Sequence, residues 1–122
     1  MIPNQLLDLD VLTKFEKHTP ASVIPKIIIM FFGEIKTRYE KLVQAAEQDD
    51  MDNLEREAHA FKGSAGALGA DKLRQIAIQL ENAASQQNKD EINQLVASLP
   101  ALIDDSIAAL KVHFQHFELP DT

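Results

Sequence analysis

Residues 56–69, REAHAFKGSAGALG, set an imidazole (His59), an ammonium three residues on (Lys62) and three glycines (Gly63, Gly66, Gly69) inside a helical apolar rhythm. A neutral imidazole, with an ordinary pKa near ~6.5, is a good nitrogen nucleophile at neutral pH. Its chemistry here suits phosphoryl transfer to histidine, because a lysine one turn away can balance charge on an N-phosphorylated ring. Such transfer depends mainly on positioning and electrostatics, so a helix surface can serve as acceptor while a partner supplies the rest. No phosphate-binding glycine loop of the nucleotide-site type occurs in the chain.

The glycines need a reason. Gly69 reads as a left-handed helix terminator. Gly63 and Gly66 lie where the apolar stripe continues, and each costs roughly 0.8–1 kcal/mol relative to alanine inside a helix. At 100° per residue, Gly63 falls about 40° from His59, Gly66 about 20° and Lys62 about 60° toward the core flank. The core stripe is centred about 140° away. The spacing predicts a shallow strip beside an exposed imidazole, open to close approach by a partner. Gly63, Ser64 and Gly66, with Arg56 one turn before His59, are the expected partner-binding residues.

The elements that must carry this segment are helical throughout, with no stretch of period-two alternation. A short first helix is expected from about Asp10 to Lys17. A second should run from Thr19-Pro20 to about Gln48, with proline at its first position. The third spans about Met51 to Leu68, the fourth opens at Asp71, and the fifth runs from about Asp90 to Phe117 with a kink at Pro100. Short connections make this an all-α, antiparallel up-down-up-down four-helix bundle with a short additional N-terminal helix. The whole chain, 1–122, is expected to form one domain, its core bundle covering about 20–117. Met1 and the complete helical plan favour a free-standing protein.

Composition narrows the partners. Twelve basic against nineteen acidic residues give a net charge of −7, unsuited to nucleic acid or anionic lipid. From Glu55 to Gln75, however, four basic residues against three acidic leave the window at +1 and the rest at −8. No cysteine is present, which excludes a thiolate metal site or a cysteine nucleophile. The longest apolar run, Ile27–Phe32, is far shorter than the ~20 residues of a membrane span. No signal peptide is evident, so a soluble cytoplasmic protein is expected.

The set His59, Lys62, Gly63 and Gly69, with Gly66 at a further glycine position, resembles the signature of the histidine-containing phosphotransfer (HPt) domains of phosphorelays. The resemblance extends to the five-helix plan. It implies a phosphorelay intermediate that accepts a phosphoryl group on His59 from a receiver-domain aspartyl phosphate and passes it to another receiver. It further implies Lys62 as the stabiliser of phosphoryl charge and Gly63 as room for the receiver. No intrinsic cofactor or metal site and no ATP-dependent kinase activity are implied; Mg²⁺ comes from the receiver. The partners would be response-regulator receiver domains and a hybrid sensor kinase, and the chain a monomer.

One more residue follows from geometry. In a hairpin turning near Gly69-Ala70, residues whose numbers sum to about 140 sit level, which brings Glu81 opposite His59. Family members often carry a glutamate or glutamine at that place, bonded to the histidine's Nδ1. A carboxylate on Nδ1–H leaves Nε2 free to attack.

Plainer roles account for the remaining candidates. His113 and His116 have a spacing that could chelate a metal, but a frayed helix end explains them better. His18 reads as solvated and Ile27–Phe32 mainly as core, with an interaction patch as its minority reading. A non-catalytic helical adaptor binding receivers or kinases is the alternative function. The intact His59–Lys62–Gly63 set argues against it.

Overall fold

A computed structural model describes residues 5–119. Five helices follow in order: α1 (Leu9–His18), α2 (Ile24–Glu47), α3 (Met51–Ala67), α4 (Asp71–Ser85) and α5 (Lys89–His113). There is no strand among the described residues. Helices α2 to α5 pack in sequence, and α2 also meets α5, which closes an antiparallel bundle. The short α1 adds to one end, and its Leu12 is fully buried in the common core.

Local chemistry sets the helix ends. Asp8 accepts from the backbone N–H groups of Asp10 and Val11, Asp50 from Asn53, and Asn88 from Glu91, capping α1, α3 and α5. Helix α4 has no side-chain cap. Asp71 instead lies in its first turn, where a carboxylate complements the helix dipole, and takes hydrogen bonds from Arg74 and Gln75. Together these hydrogen bonds outweigh burial, which alone raises the Asp71 carboxyl, and hold it below its ordinary value.

Helix α3 ends in a Schellman motif: Gly69 N–H donates to Gly66 O and Ala70 N–H to Ala65 O. Gly69 is left-handed (φ +66°), and a Cβ there would come within 2.9 Å of the Asp8 carbonyl oxygen. The approach is close because the segment before α1 crosses this turn. Asp8 N–H donates to Gly69 O at 2.8 Å and Lys72 N–H to Leu6 O at 3.2 Å. Gly69 therefore serves both the helix stop and the crossing that ties the N-terminal segment to the α3–α4 hairpin.

Two helix boundaries differ from the sequence expectation. Helix α2 starts at Ile24, not Pro20: residues 20–23 form a turn closed by Val23 N–H to Pro20 O, and Pro25 occupies the first helical turn. Either proline fits a first turn, since the missing N–H would have no helical partner there. Helix α5 ends at His113, not Phe117. The turn that follows buries Phe114 completely, edge-on to Phe15, and leaves Phe117 half-buried. Within α2, Ala45 is buried, while its neighbours Val43 and Ala46 are half-buried. Helix α5 also runs through Pro100 without ending; the proline is exposed, on the side where water can meet the freed carbonyl.

Candidate functional site

Helices α3 and α4 form the hairpin that carries the site. His59 projects from the middle of α3 with its side chain 68% exposed. Its Nδ1 is 3.0 Å from Glu81 Oε2, across from α4. The other carboxylate oxygen, Oε1, accepts from Lys62 Nζ at 3.0 Å. Glu81 is thus a bridge between two α3 side chains one turn apart. Burial raises its carboxyl, but the hydrogen bonds from Lys62 and His59, aided by their charges, prevail and hold it below its ordinary value.

That ionised carboxylate can only accept, so the hydrogen between it and the ring belongs to Nδ1. A neutral His59 held this way carries its lone pair on Nε2, on the opposite flank of the ring. The arrangement is that of an oriented nitrogen nucleophile facing solvent.

The glycine strip divides in two. Gly63 is exposed, and a Cβ added to it would meet nothing within 4 Å. No packing inside the molecule requires a glycine there. At Gly66 a Cβ would stand 3.3 Å from Arg74 Cδ, and Arg74 is itself fixed by its ion pair with Asp71. The expectation of a strip unexplained by packing therefore holds for Gly63 and is corrected for Gly66, over which α4 lays the arginine's aliphatic stem.

Arg56 is exposed, is not paired with Asp52, and lines a shallow depression with Glu55, His59 and Glu81. Ser64 is half-buried and about 140° around the helix from His59, so it does not share this face. His113 is not part of a frayed end. Its Nε2 lies 3.1 Å from Glu16 Oε1 and ties α5 to α1. The described residues contain no group of three or more metal-ligating side chains.

Two features escaped the sequence reading. The first is that the ammonium of Lys62, the expected stabiliser of phosphoryl charge, is also engaged by Glu81. The level rule that found Glu81 also brings Lys62 within a turn of it, so the signal was present. The second is a groove between α2 and the end of α3, lined by Ile27, Met30, Phe31, Glu34, Ala67 and Leu68. Met30 is 73% exposed, the most exposed of the large hydrophobic residues among those described. Most of the Ile27–Phe32 run is core, as expected, and Met30 is the part left outside. His59, Gly63 and Ala67 follow at four-residue steps, so one stripe of α3 runs from the imidazole to this groove.

Comparison with known proteins agrees with this construction. The Hpt domain family model matches residues 26–112, a span that includes His59, Lys62, Gly63 and Glu81. The phosphorelay protein LuxU of Vibrio cholerae serotype O1 is 30% identical over 80 residues, covering 66% of this chain and 71% of LuxU. The multistep phosphorelay regulator 1 of Schizosaccharomyces pombe is 27% identical over 101 residues, 80% of this chain but 34% of that larger protein. In three dimensions, histidine-containing phosphotransfer protein B (HptB) from Pseudomonas aeruginosa PAO1 superposes with a TM-score of 0.85 at 22% identity, covering 97% of this chain and 100% of HptB. Fold and site define a helical histidine phosphotransfer module. The chain belongs to the Hpt domain family.

Proposed function

We propose that this protein is a phosphorelay intermediate in which His59 Nε2 accepts a phosphoryl group from the aspartyl phosphate of a receiver domain and passes it to a second receiver. The observation that carries the reading is the ring itself, 68% exposed and held at Nδ1 by the Glu81 carboxylate, which leaves Nε2 without an intramolecular partner among the described residues. Family membership and the phosphorelay relatives support it. On acceptance, the N–P bond forms at Nε2 as the receiver's O–P bond breaks, and the bonding pair leaves with the aspartate. Transfer onward reverses these events. In this reading the receiver brings Mg²⁺ and its acidic pocket, and the chain acts as a carrier of the phosphoryl group.

Gly63 leaves room for the receiver's loops beside the imidazole. Arg56 steers the receiver's acidic pocket, and Lys62 adds positive charge one turn away. The apolar groove around Met30 continues the His59 stripe and extends the receiver's footprint. The reading includes a monomer acting in the cytoplasm between a hybrid sensor kinase and a response regulator. No helix among the described residues is long and apolar enough to cross a membrane.

Incubation with a phosphorylated receiver domain and Mg²⁺ tests the proposal. Label should pass to the protein in an acid-labile, base-stable linkage, and His59→Gln should abolish it. Acid-stable label, or label retained by the variant, would refute the assignment. Receiver binding without any transfer would favour the adaptor alternative.

A further inference from the structure

Gly33, the remaining glycine, lies in the middle of α2, and no packing inside the molecule accounts for it. It is exposed, and a Cβ added there would meet nothing within 4 Å. A glycine in an exposed helix interior is destabilising relative to alanine, so the bare backbone brings the chain no gain of its own. At 100° per residue, the buried Ile24 and Leu42 point about 180° away, which puts Gly33 at the centre of the outer face of α2. Its flanks are balanced. Lys26 and Glu40 lie about 10.5 Å before and after it along the axis, each within about 20° of it around the helix and on opposite sides. Both are exposed, and neither has an ion-pair partner among the described residues. One turn before the glycine, the exposed Met30 and the half-buried Ile29 supply apolar surface on its two sides.

We propose that the outer face of α2 is a self-association surface, on which α2 of a second copy of this chain lies antiparallel across a two-fold axis at Gly33. In that arrangement residues whose numbers sum to 66 are level with one another. Lys26 then faces Glu40 of the second copy, and Glu40 faces Lys26 of the second copy, so one symmetric contact makes two opposite-charge pairs. A parallel arrangement would set lysine against lysine and glutamate against glutamate, which Coulomb repulsion disfavours. The charges therefore choose the occupant and its direction together. Gly33 meets itself at the axis, and the absence of a side chain there lets the two helices approach closely. Met30 packs beside the bare backbone at Gly33 and along the aliphatic stem of Lys36 in the second copy. A contact of two helices is small, so the pair is weak and reversible. Met30 also lines the groove between α2 and the end of α3, so the paired form covers one wall of it. Self-association and receiver docking exclude each other, and the acting form remains the monomer. That last consequence rests on the phosphorelay reading; the association itself does not.

Sedimentation equilibrium on the full chain at low ionic strength, from about 20 μM to about 1 mM, tests this without any receiver. The native mass should rise with concentration from 13.6 kDa toward twice that value. Lys26→Glu and Glu40→Lys should each weaken association about fivefold or more, because both crossing contacts become repulsive. An equimolar mixture of the two variants should associate as the native protein does, since each crossing contact then joins opposite charges again. Gly33→Leu should keep native helix content by circular dichroism and weaken association about tenfold or more. A mass that stays at that of one chain up to about 1 mM would overturn the proposal and leave this face to a helix of another protein. Association that survives both charge reversals, or a mixture no better than either variant alone, would overturn the antiparallel pairing at Gly33. For the consequence in transfer, acceptance per molecule from a phosphorylated receiver should fall about twofold further in the native protein than in Glu40→Lys over the same range. No difference between them would overturn the exclusion. If association follows the charges as stated but no receiver labels His59, the relay reading fails and the self-association surface stands.

Discussion

The molecule contains two histidine–glutamate pairs of nearly equal length, His59–Glu81 at 3.0 Å and His113–Glu16 at 3.1 Å. They differ in which nitrogen is bound and in what surrounds it. At His59 the carboxylate takes Nδ1, Lys62 shares the carboxylate, and the ring stands 68% exposed. At His113 the carboxylate takes Nε2, the side chain is 29% exposed, and the ring lies edge-on to Phe114 at 4.7 Å. The first pair leaves Nε2 open to a partner. The second spends that nitrogen on a strut between α1 and α5. Bond length therefore says nothing about role; the identity and exposure of the unused nitrogen do.

The largest expected effect separates the two rings completely. His59→Gln should lose all phosphoryl label from a receiver, whereas His113→Gln should retain it at the native level. Label lost in both would erase the distinction between nucleophile and strut. Next, Gly63→Leu should keep the fold but weaken receiver association about tenfold or more, measured by titration calorimetry, because a branched side chain would stand beside the imidazole. Unaffected binding would show that the bare patch is not the place of closest approach.

The glutamates should differ in kind. Glu81→Ala should slow transfer while changing stability by no more than about 1 kcal/mol. Glu16→Ala should leave transfer unchanged and lower stability by about 1 kcal/mol or less, as expected for a half-exposed pair. Chemical denaturation and a transfer time course on the two variants provide both readings. The smallest effect is in pH dependence. Because folding lowers the Glu81 carboxyl from 4.5, its contribution to stability is fully present above that pH and is lost as pH falls through the lower folded value. Glu81→Gln should flatten that acid limb of the stability curve.

Much of this was legible in the chain because the relevant signals are local. The apolar rhythm of each helix is a property of its own residues, and Gly69 could end α3 without reference to its neighbours. The hairpin rule even located Glu81, since two antiparallel helices with a tight turn have little freedom along their axes. The misses are cross-helix or terminal. The turn that buries Phe114 depends on Phe15 of α1 waiting for it. Pro20 and Pro25 are equally suited to a helix start, and packing of Ile24 into the core favours the later one. Gly66 looked like a bare surface until Arg74 lay over it.

By itself, then, the sequence determined five helices, the stripe of α3 that bears His59, and a carboxylate level with it, because period, caps and turn length are properties of neighbouring residues. Only the tertiary structure decided that Lys62 points to Glu81, that Gly63 rather than Gly66 remains uncovered on α3, and that His113 is a strut. Those outcomes depend on how each helix is rotated about its own axis. That rotation is set by burying the apolar faces of all the helices together, and no single segment contains it.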